Sequence, residues 1–382
     1  MRNKGTKAVR HVTINGELTI TRRAYWSKAR GTVYPADALL GITQQNVSVG
    51  VRERCCQESL DSSFANVVRS LKTLGQLALS EDRVRRVVED EGRTVQRVRK
   101  TKALGASFTV ADCRDGVMVT GADGVFLPVV PESQKAARRA TEAKKRAADG
   151  RRSTRRRGRP KKGAEGEYKE AKVATFYSQD KRYRHVLTTV GDCQELGRLM
   201  RREARKVKLG EARFSYSVAD GAQWIARQYH KQLPMLDEHI LDWYHFKEHV
   251  VETSHAVYGE TTPKAGAWQE TMLEAAWQQG SLAMLHRLGP YERRHTGENR
   301  EAFGALRQYV ESRTSMTDYP RFAEQGYDCG SGPTESQCGT TTARVKGPGM
   351  RWDADNAEAM LALAALDHSR LWTDYWEFQR AA

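Results

Sequence analysis

Three acidic residues lie in segments that could form a metal-dependent site for phosphodiester chemistry. Asp123 lies in VTGADGVFLPV, Asp220 near the end of FSYSVADG, and Glu335 in GSGPTESQ. Two divalent metals about 4 Å apart can activate the attacking oxygen and stabilise the leaving oxygen of a phosphodiester. Mg²⁺ prefers a few carboxylate ligands, because the substrate phosphate supplies others. We therefore expect Asp123, Asp220 and Glu335 to bind Mg²⁺ or Mn²⁺, although each Asp-Gly pair alone is more typical of a turn.

A second candidate pair occurs in EHILDWYHF, a segment that predicts a short strand, where Asp242 and His245 of LDWYHF have Asp-x-x-His spacing near the end of that strand. His245 could donate a hydrogen bond to a scissile phosphate, and Asp242 could orient the imidazole ring. The alternative interpretation is a histidine that caps the end of the strand.

The elements that would position these residues follow from the hydrophobic pattern of residues 105–249. Alternating and β-branched segments predict strands, and amphipathic segments predict helices, in the order βββαβαβ. This is the order of the ribonuclease H-like fold, an α/β fold with a mixed sheet flanked by helices. The fold needs one acid on its first strand, one at the end of its fourth and one on a late helix, and the sequence has an acid at each place.

The flanking regions predict further units. Residues 1–45 form a small β unit, because polar and apolar residues alternate around an Asn15-Gly16 turn. Residues 46–104 predict three helices, the third capped by Ser80, that are compatible with a helix-turn-helix or with an ordinary helical hairpin. Residues 250–325 predict an all-helical insertion, and residues 326–382 complete the catalytic core with C-terminal helices.

Basic residues are concentrated in one segment. Of the formal net charge of +16, residues 135–162 contribute +12, with 14 Lys or Arg against two acids. This basic arm, in the loop that leaves the first strand, predicts binding to DNA phosphates and to a narrow minor groove, whereas a solvated loop is the alternative. The predicted DNA-binding residues of the arm are Arg151, Arg152, Arg155, Arg156, Arg157, Arg159, Lys161 and Lys162.

A second basic segment, RVKGPGMRW, contains Arg344, Lys346 and Arg351. Its Gly and Pro residues let the backbone approach DNA closely, so we expect these three side chains to bind phosphate. A loop that caps a helix is the alternative.

The sequence contains no run of about 18 apolar residues and no apolar signal-peptide core, which predicts a soluble cytoplasmic protein without membrane contact. Its six cysteines form no Cys-x-x-Cys pair and no zinc spacing. We expect them to be reduced thiols that mostly serve packing.

Several segments resemble the bacterial insertion-sequence transposases of the ISKra type over roughly residues 10–375. The resemblance is carried by ADGVFLPVV with the basic run after it, VADGAQWI, LDWYHFKEHV, CGSGPTESQC and RVKGPGMRWDADNAEAMLAL. Those proteins are DDE transposases, related to Mutator-like transposases, which add a Cys/Asp-x-x-His motif and a helical insertion before the glutamate. One difference is that RRAYWSKARGTVYPADALLG has no cysteine, whereas relatives often carry a zinc-binding segment near the N-terminus.

The resemblance implies metal binding by Asp123, Asp220 and Glu335, with Asp242 and His245 as the accessory pair. It also implies cleavage and joining of double-stranded DNA, at transposon ends and target, by a homodimer or higher oligomer in the bacterial nucleoid. Two alternatives remain: a catalytically inactive or domesticated DNA-binding protein, and a ribonuclease H-like nuclease that does not join strands.

Overall fold

The structure is a computed structural model that describes residues 1–42, 45–101, 103–150 and 162–381. Its strands are β1 (Arg2–Thr13), β2 (Gly16–Ser27), β3 (Gly31–Val33), β4 (Val117–Pro128), β5 (Tyr168–Ser178), β6 (Arg184–Thr189), β7 (Phe214–Ala219) and β8 (Glu238–Leu241). Its α-helices are α1 (Pro35–Leu39), α2 (Val49–Asp61), α3 (Phe64–Gly75), α4 (Glu81–Arg99), α5 (Glu132–Ala148), α6 (Cys193–Lys206), α7 (Gln223–Gln232), α8 (Trp243–Tyr258), α9 (Pro263–Gln279), α10 (Ser281–Arg294), α11 (Gly297–Glu311), α12 (Tyr319–Glu324), α13 (Gly332–Thr342), α14 (Ala354–His368) and α15 (Trp372–Ala381).

The chain opens with a three-stranded antiparallel sheet in the order β1-β2-β3. The register pairs Thr13 with Gly16 across the turn, and Gly16 has a φ of +118°, a backbone conformation that favours glycine. The predicted hairpin around Asn15-Gly16 is therefore present, and it begins earlier than expected, at Arg2.

The larger sheet has five strands in the order β6-β5-β4-β7-β8. Strand β5 is antiparallel to β4 and β6, whereas β7 is parallel to β4, and β8 is parallel to β7. The fold is thus α/β with a mixed sheet, as predicted. The prediction that EHILDWYHF is entirely a strand is wrong, because the strand ends at Leu241 and α8 begins at Trp243.

Helices cover both faces of this sheet because its central strands are apolar on both sides. On one face, Met118, Ala122 and Phe176 pack against α6 and α7. On the other, Val119 and Val218 share a core with the helices that follow β8. Because side chains alternate along a strand, Asp123 lies on the same face of β4 as Val119.

The N-terminal helices and the C-terminal helices share one hydrophobic core. Ser80 caps α4 by accepting a hydrogen bond from the Arg83 amide at 3.3 Å, as predicted. One face of α4 is buried against α14, and a Cβ built at Gly92 would overlap the backbone carbonyl of Ala359. Residues 46–104 therefore pack directly on the last part of the chain. Whether these helices enter a DNA groove stays a prediction.

Replacing Gly92 with alanine is expected to lower the free energy of unfolding by about 1–3 kcal/mol, because the added methyl group must push two helix backbones apart. Urea denaturation measures this change. Gly266→Ala is the matched control, since Gly266 also lies within a helix but its Cβ position is open. That control should be neutral or stabilising by up to about 1 kcal/mol. Equal effects of the two substitutions would contradict the close contact between α4 and α14.

The basic arm is not entirely a loop, in contrast to the prediction. Its first half, from Lys135 to Ala148, belongs to α5, whose residues are all exposed or half-buried. Alanines alternate with Lys and Arg there, and both residue types favour helix. The predicted DNA-binding residues from Arg151 to Lys161 lie outside the described residues, and Lys162 is exposed.

In the described part of the chain, none of the helices combines the length and the apolar composition that crossing a bilayer requires.

Candidate active site

Two aspartates directly follow the parallel strands β7 and β8, and a third, Asp123, lies within β4 three residues beyond its last pair with β7. Strands β4 and β7 pair from Val117 with Phe214 to Thr120 with Ser217, and the same register, continued, brings Asp123 level with Asp220. The register of β7 and β8 likewise brings Asp220 level with Asp242. Neighbouring strands are about 4.8 Å apart, so residues in register on one face are close neighbours.

The carboxyl group of Asp123 is half-buried and lies within electrostatic range of the other two predicted metal ligands. Burial raises its pKa most, and the negative charges of Asp220 and Glu335 raise it further. Hydrogen bonds from the Gly124 amide, at 2.6 Å, and from the Cys338 thiol act in the opposite direction. The structure thus places Asp123 within electrostatic range of Asp220 and Glu335, and metal binding by the three acids stays a prediction.

Close packing of α13 on the sheet positions Glu335. A Cβ built at Gly121 would overlap Thr334 Oγ1, so only glycine allows this approach. Thr334 Oγ1 also lies 2.7 Å from Thr175 Oγ1 on β5. Glu335 follows in the first turn of α13, where its carboxylate accepts a hydrogen bond from the Ser331 hydroxyl.

Asp242 directly follows β8, and its carboxylate makes different contacts from the predicted one with the imidazole ring of His245. It is 1% exposed, and both of its carboxylate oxygens accept hydrogen bonds from backbone amides. Oδ1 accepts from the His245 amide at 2.8 Å and caps α8, while Oδ2 accepts from the Ser331 amide. Asp242 thus does not orient the imidazole ring. It joins the start of α8 to the loop that leads into α13 and Glu335.

His245 lies in the first turn of α8 at the open side of the site. Its Nε2 is 3.9 Å from Asp220 Oδ2, and its Nδ1 is 3.2 Å from Glu248 Oε2. Its side chain is 43% exposed, so a phosphate could reach the ring. The alternative, that His245 caps the strand, is wrong, because the capping residue is Asp242 and it caps a helix.

The described residues include no group of three or more His, Cys, Asp or Glu side chains that is arranged to hold a metal ion as it stands. The donor set nevertheless suits a hard divalent cation, since Asp220 and Glu335 lie within electrostatic range of Asp123 and carboxylate oxygens are ligands that Mg²⁺ prefers.

Comparison with known proteins places the whole chain in one family. Residues 2–375 match the uncharacterised protein family UPF0236. The chain belongs to UPF0236. No curated protein matches this UPF0236 chain. It is similar to a solved structure described as "Drosophila P element transposase strand transfer complex", with 11% sequence identity, a TM-score of 0.23, and coverage of 84% of this chain and 87% of that one. A TM-score this low carries no argument about fold or function.

The basic residues after α13 of this UPF0236 chain differ in exposure. Arg344 is buried, with its guanidinium 5.2 Å from the ring of Phe64 and 5.1 Å from that of Trp352. Its Nε donates to the Ser59 carbonyl at 3.0 Å. Arg344 is therefore a packing residue, which corrects the prediction that it binds phosphate. Its burial lowers its pKa.

Lys346 and Arg351 are exposed, as a phosphate-binding role requires. The positive charge of Lys346 acts on the Cys338 thiol, which also bonds Asp123, so Lys346 lies on the side of the candidate site. Arg351 also forms an ion pair, with its guanidinium 3.5 Å from the carboxylate of Glu167.

Sequence reasoning missed the residues that support the acids. Cys338 donates to Asp123, and Gly121 and Thr334 provide the close approach of α13. A signal for Cys338 existed, because it lies three residues after Glu335 and so shares its helix face. Nothing in the sequence alone distinguishes Gly121 from a strand glycine with no close neighbour.

Proposed function

We propose that this chain is a DDE-type DNA transposase of the ISKra type that cleaves and joins transposon ends. The observation that carries the proposal is the placement of Asp123 within β4, Asp220 after β7 and Glu335 in the first turn of α13, where burial and then the charges of Asp220 and Glu335 raise the pKa of Asp123. A carboxylate with a pKa shifted by burial and by neighbouring charges is typical of a catalytic site. The alternative of an incidental acidic cluster does not explain why α13 approaches the sheet at a glycine.

The sheet supports a ribonuclease H-like core for this proposal. Three strands consecutive in the chain form an antiparallel half in the order β6-β5-β4, and β7 and β8 extend it in parallel beyond β4. Helices α6 and α7 connect the strands across one face, and α13 returns to the other face after the helical insertion. The order of the strands agrees with the predicted βββαβαβ pattern, except that α5 lies between the first two strands.

Asp123, Asp220 and Glu335 would hold two Mg²⁺ or Mn²⁺ ions. When bound, such ions activate the attacking oxygen and stabilise the leaving oxygen of the phosphodiester. The chain's own residues do the positioning. Ser331 fixes the carboxylate of Glu335, and the Cys338 thiol together with the Gly124 amide fixes that of Asp123.

His245 and Lys346 supply the remaining contacts of the proposed site. The ring of His245, beside Asp220 and open to solvent, donates a hydrogen bond to the scissile phosphate. Lys346 binds an adjacent phosphate with its exposed ammonium group. The arm, including Lys162, adds sequence-independent affinity for duplex DNA, on which we propose that the protein acts as a homodimer or higher oligomer in the bacterial nucleoid.

A strand-transfer assay tests the proposal. The chain is incubated with Mg²⁺ and a labelled duplex that carries the DNA flanking its own gene, and products are separated by size. We expect both a nicked product and a joined product. Nicking without joining would indicate a nuclease, and binding without nicking would indicate an inactive DNA-binding protein, so either result contradicts the proposal.

His245→Ala is expected to reduce the rate of cleavage by about 10²-fold, comparable with the loss of one transition-state hydrogen-bond donor. Affinity for DNA, measured by fluorescence anisotropy, should stay near that of the unchanged chain. His255→Ala is the matched control, because His255 lies on the same helix but nearly three turns away. Normal cleavage by the His245 variant would show that the ring does not contact the phosphate.

A further inference from the structure

The N-terminal hairpin is a second concentration of positive charge. Residues 1–30 contain eight Lys or Arg and one acid, Glu17, a net charge of +7. Residues 135–162 contribute +12, so the two segments together exceed the +16 of the whole chain and the remaining residues are slightly acidic. The hairpin charge is therefore a local feature rather than a share of a uniformly basic surface.

The hairpin is anchored at its turn and extends away from its anchor. Near the turn, the Val12 amide donates to the Asn46 carbonyl at 3.0 Å, and the Ser48 amide donates to the Val12 carbonyl at 2.9 Å. At the other end, every residue from Arg2 to Ala8 is exposed. Strand β1 is an edge of its sheet. The projecting half, residues 2–8 of β1 with residues 21–27 of β2, therefore offers a ribbon to a partner, although β3 pairs with residues 25–27 along its other edge.

The two faces of the ribbon differ. On one face, Arg22 pairs with Asp37 and lies 3.9 Å from the ring of Tyr34, and Ala24 is buried. On the opposite face, the cross-strand pairs consist of exposed residues, most of them polar. These pairs are Thr6 with Arg23, Ala8 with Thr21, and Arg10 with Thr19. One face thus packs on the protein, and the other is open and basic.

We propose that this open face enters the major groove of duplex DNA. The inference depends on the proposed function in that it takes duplex DNA as the substrate. The groove is about 12 Å wide and admits a two-stranded ribbon. The seven projecting residues of β1 span about 24 Å, roughly two-thirds of one helical turn of DNA. On the open face, Arg10 and Arg23 can bond base edges or phosphates. Lys7 pairs with Arg22 on the other face, and Lys4 lies in the irregular stretch opposite Ala24. Both lysines are nevertheless exposed and can neutralise phosphates that flank the groove.

The positive charge of the ribbon favours DNA over a second copy of the chain as its binding partner. An exposed edge strand can also pair with the same strand of another molecule. Such pairing would bring two ribbons together, each with a net charge of +5, and like charges directly opposite each other are destabilising. A polyanion instead gains affinity from each neutralised phosphate.

The test compares two triple variants of the full chain. Lys4→Gln with Lys7→Gln and Arg23→Gln removes three charges, and Lys4→Arg with Lys7→Arg and Arg23→Lys keeps them. Binding to a labelled duplex of about 30 base pairs is measured without metal from about 50 to 200 mM salt. We expect the glutamine variant to lower the slope of log affinity against log salt by about 2–3, since each phosphate contact contributes about 0.9. The charge-preserving variant should keep the original slope.

Other outcomes would overturn the inference. One is an unchanged salt slope and an unchanged affinity of the glutamine variant for DNA. Another is a glutamine variant with normal DNA binding whose molecular mass, measured by light scattering, differs from that of the unchanged chain. That result would indicate a protein interface at β1. Methyl green, which occupies the major groove, should weaken binding of the unchanged chain more than that of the glutamine variant. An equal effect would place the ribbon outside that groove.

Failure of this inference can be told apart from failure of the proposed function. If the glutamine variant loses affinity but the unchanged chain neither cleaves nor joins DNA, the ribbon binds DNA and the proposed function is wrong. If the unchanged chain cleaves and joins DNA while the glutamine variant binds normally, the proposed function holds and the ribbon inference is wrong.

Discussion

Asp123→Asn is expected to abolish Mg²⁺-dependent cleavage and joining, with a loss of at least about 10³-fold, because a neutral amide is a poor replacement for a carboxylate shared by two metals. Asp220→Ala and Glu335→Ala should have the same effect. Asparagine keeps the shape of the side chain and an oxygen that can accept from the Gly124 amide, so the fold should survive. Product analysis on gels measures the activity, and anisotropy checks that DNA affinity is retained.

The same substitution should increase stability. The folded state raises the pKa of Asp123 above its unfolded value of 3.8, so it disfavours the charged form. The resulting penalty on the folded state appears as the pH rises through the unfolded pKa, and it is complete above the folded pKa. Asparagine avoids the penalty. Asp123→Asn should therefore be more stable than the unchanged chain at neutral pH, and the difference should diminish as the pH falls toward the unfolded pKa. Denaturation in urea at several pH values measures this.

Asp115→Asn is the control for Asp123. Asp115 precedes the same strand, but its φ of +56° places it in a turn, and its side chain is 70% exposed. This variant should keep normal activity and show no comparable gain in stability at neutral pH. An inactive Asp115 variant together with an active Asp123 variant would mean that the ligand on the first strand was assigned to the wrong residue. Four active variants would contradict the proposed function.

Asp242→Ala is expected to lower the free energy of unfolding by about 2–4 kcal/mol and to remove most of the activity. Loss of a helix cap costs about 1 kcal/mol, and a buried Ser331 amide left without its acceptor costs about 1–3 kcal/mol more. Without that bond, the loop before Glu335 loses its link to α8. Urea denaturation gives the stability, and cleavage per folded molecule gives the activity.

Asp192 provides the matched comparison for Asp242. It also caps a helix, accepting from the Glu195 amide at 2.7 Å, but it is exposed and has no second backbone donor in the hydrogen bonds described for it. Asp192→Ala should cost about 1 kcal/mol and leave cleavage unchanged. If the two alanine variants lose equal stability and both remain active, Asp242 is only a cap.

The sequence predicted the part of the site that depends on local pattern. The apolar residues on both sides of Asp123 predict its place in a strand, and the pattern places Glu335 on a late helix. The role of Asp242 could not be predicted in this way, because it depends on contact with Ser331, which is 89 residues away in the chain. The prediction that Arg344 binds phosphate was wrong for the same reason. The residues that bury its side chain include Phe64 and Ser59, which belong to the N-terminal helices and are distant in the chain.

The prediction of secondary structure was wrong where two tendencies of the sequence compete. In WYHF, aromatic residues favour a strand, but Asp242 caps a helix that continues through the insertion. In the basic arm, the dense positive charge is typical of a solvated loop, but the alanines of α5 favour a helix. The register that aligns Asp123, Asp220 and Asp242 follows from pairing between strands, which hydrophobic alternation alone does not determine.

The packing of α4 against α14 has a consequence for synthesis of the protein. Ribosomes synthesise a chain from its N-terminus at about 5–20 residues per second. Helix α4 therefore leaves the ribosome long before α14, the helix that packs on it. Glu335 likewise follows the two sheet aspartates by more than a hundred residues. An incomplete nascent chain, or one ended by a premature stop codon before α13, therefore has neither a finished core nor a full set of acids. Under the proposed function, competence for chemistry is therefore acquired only after α13 has been translated.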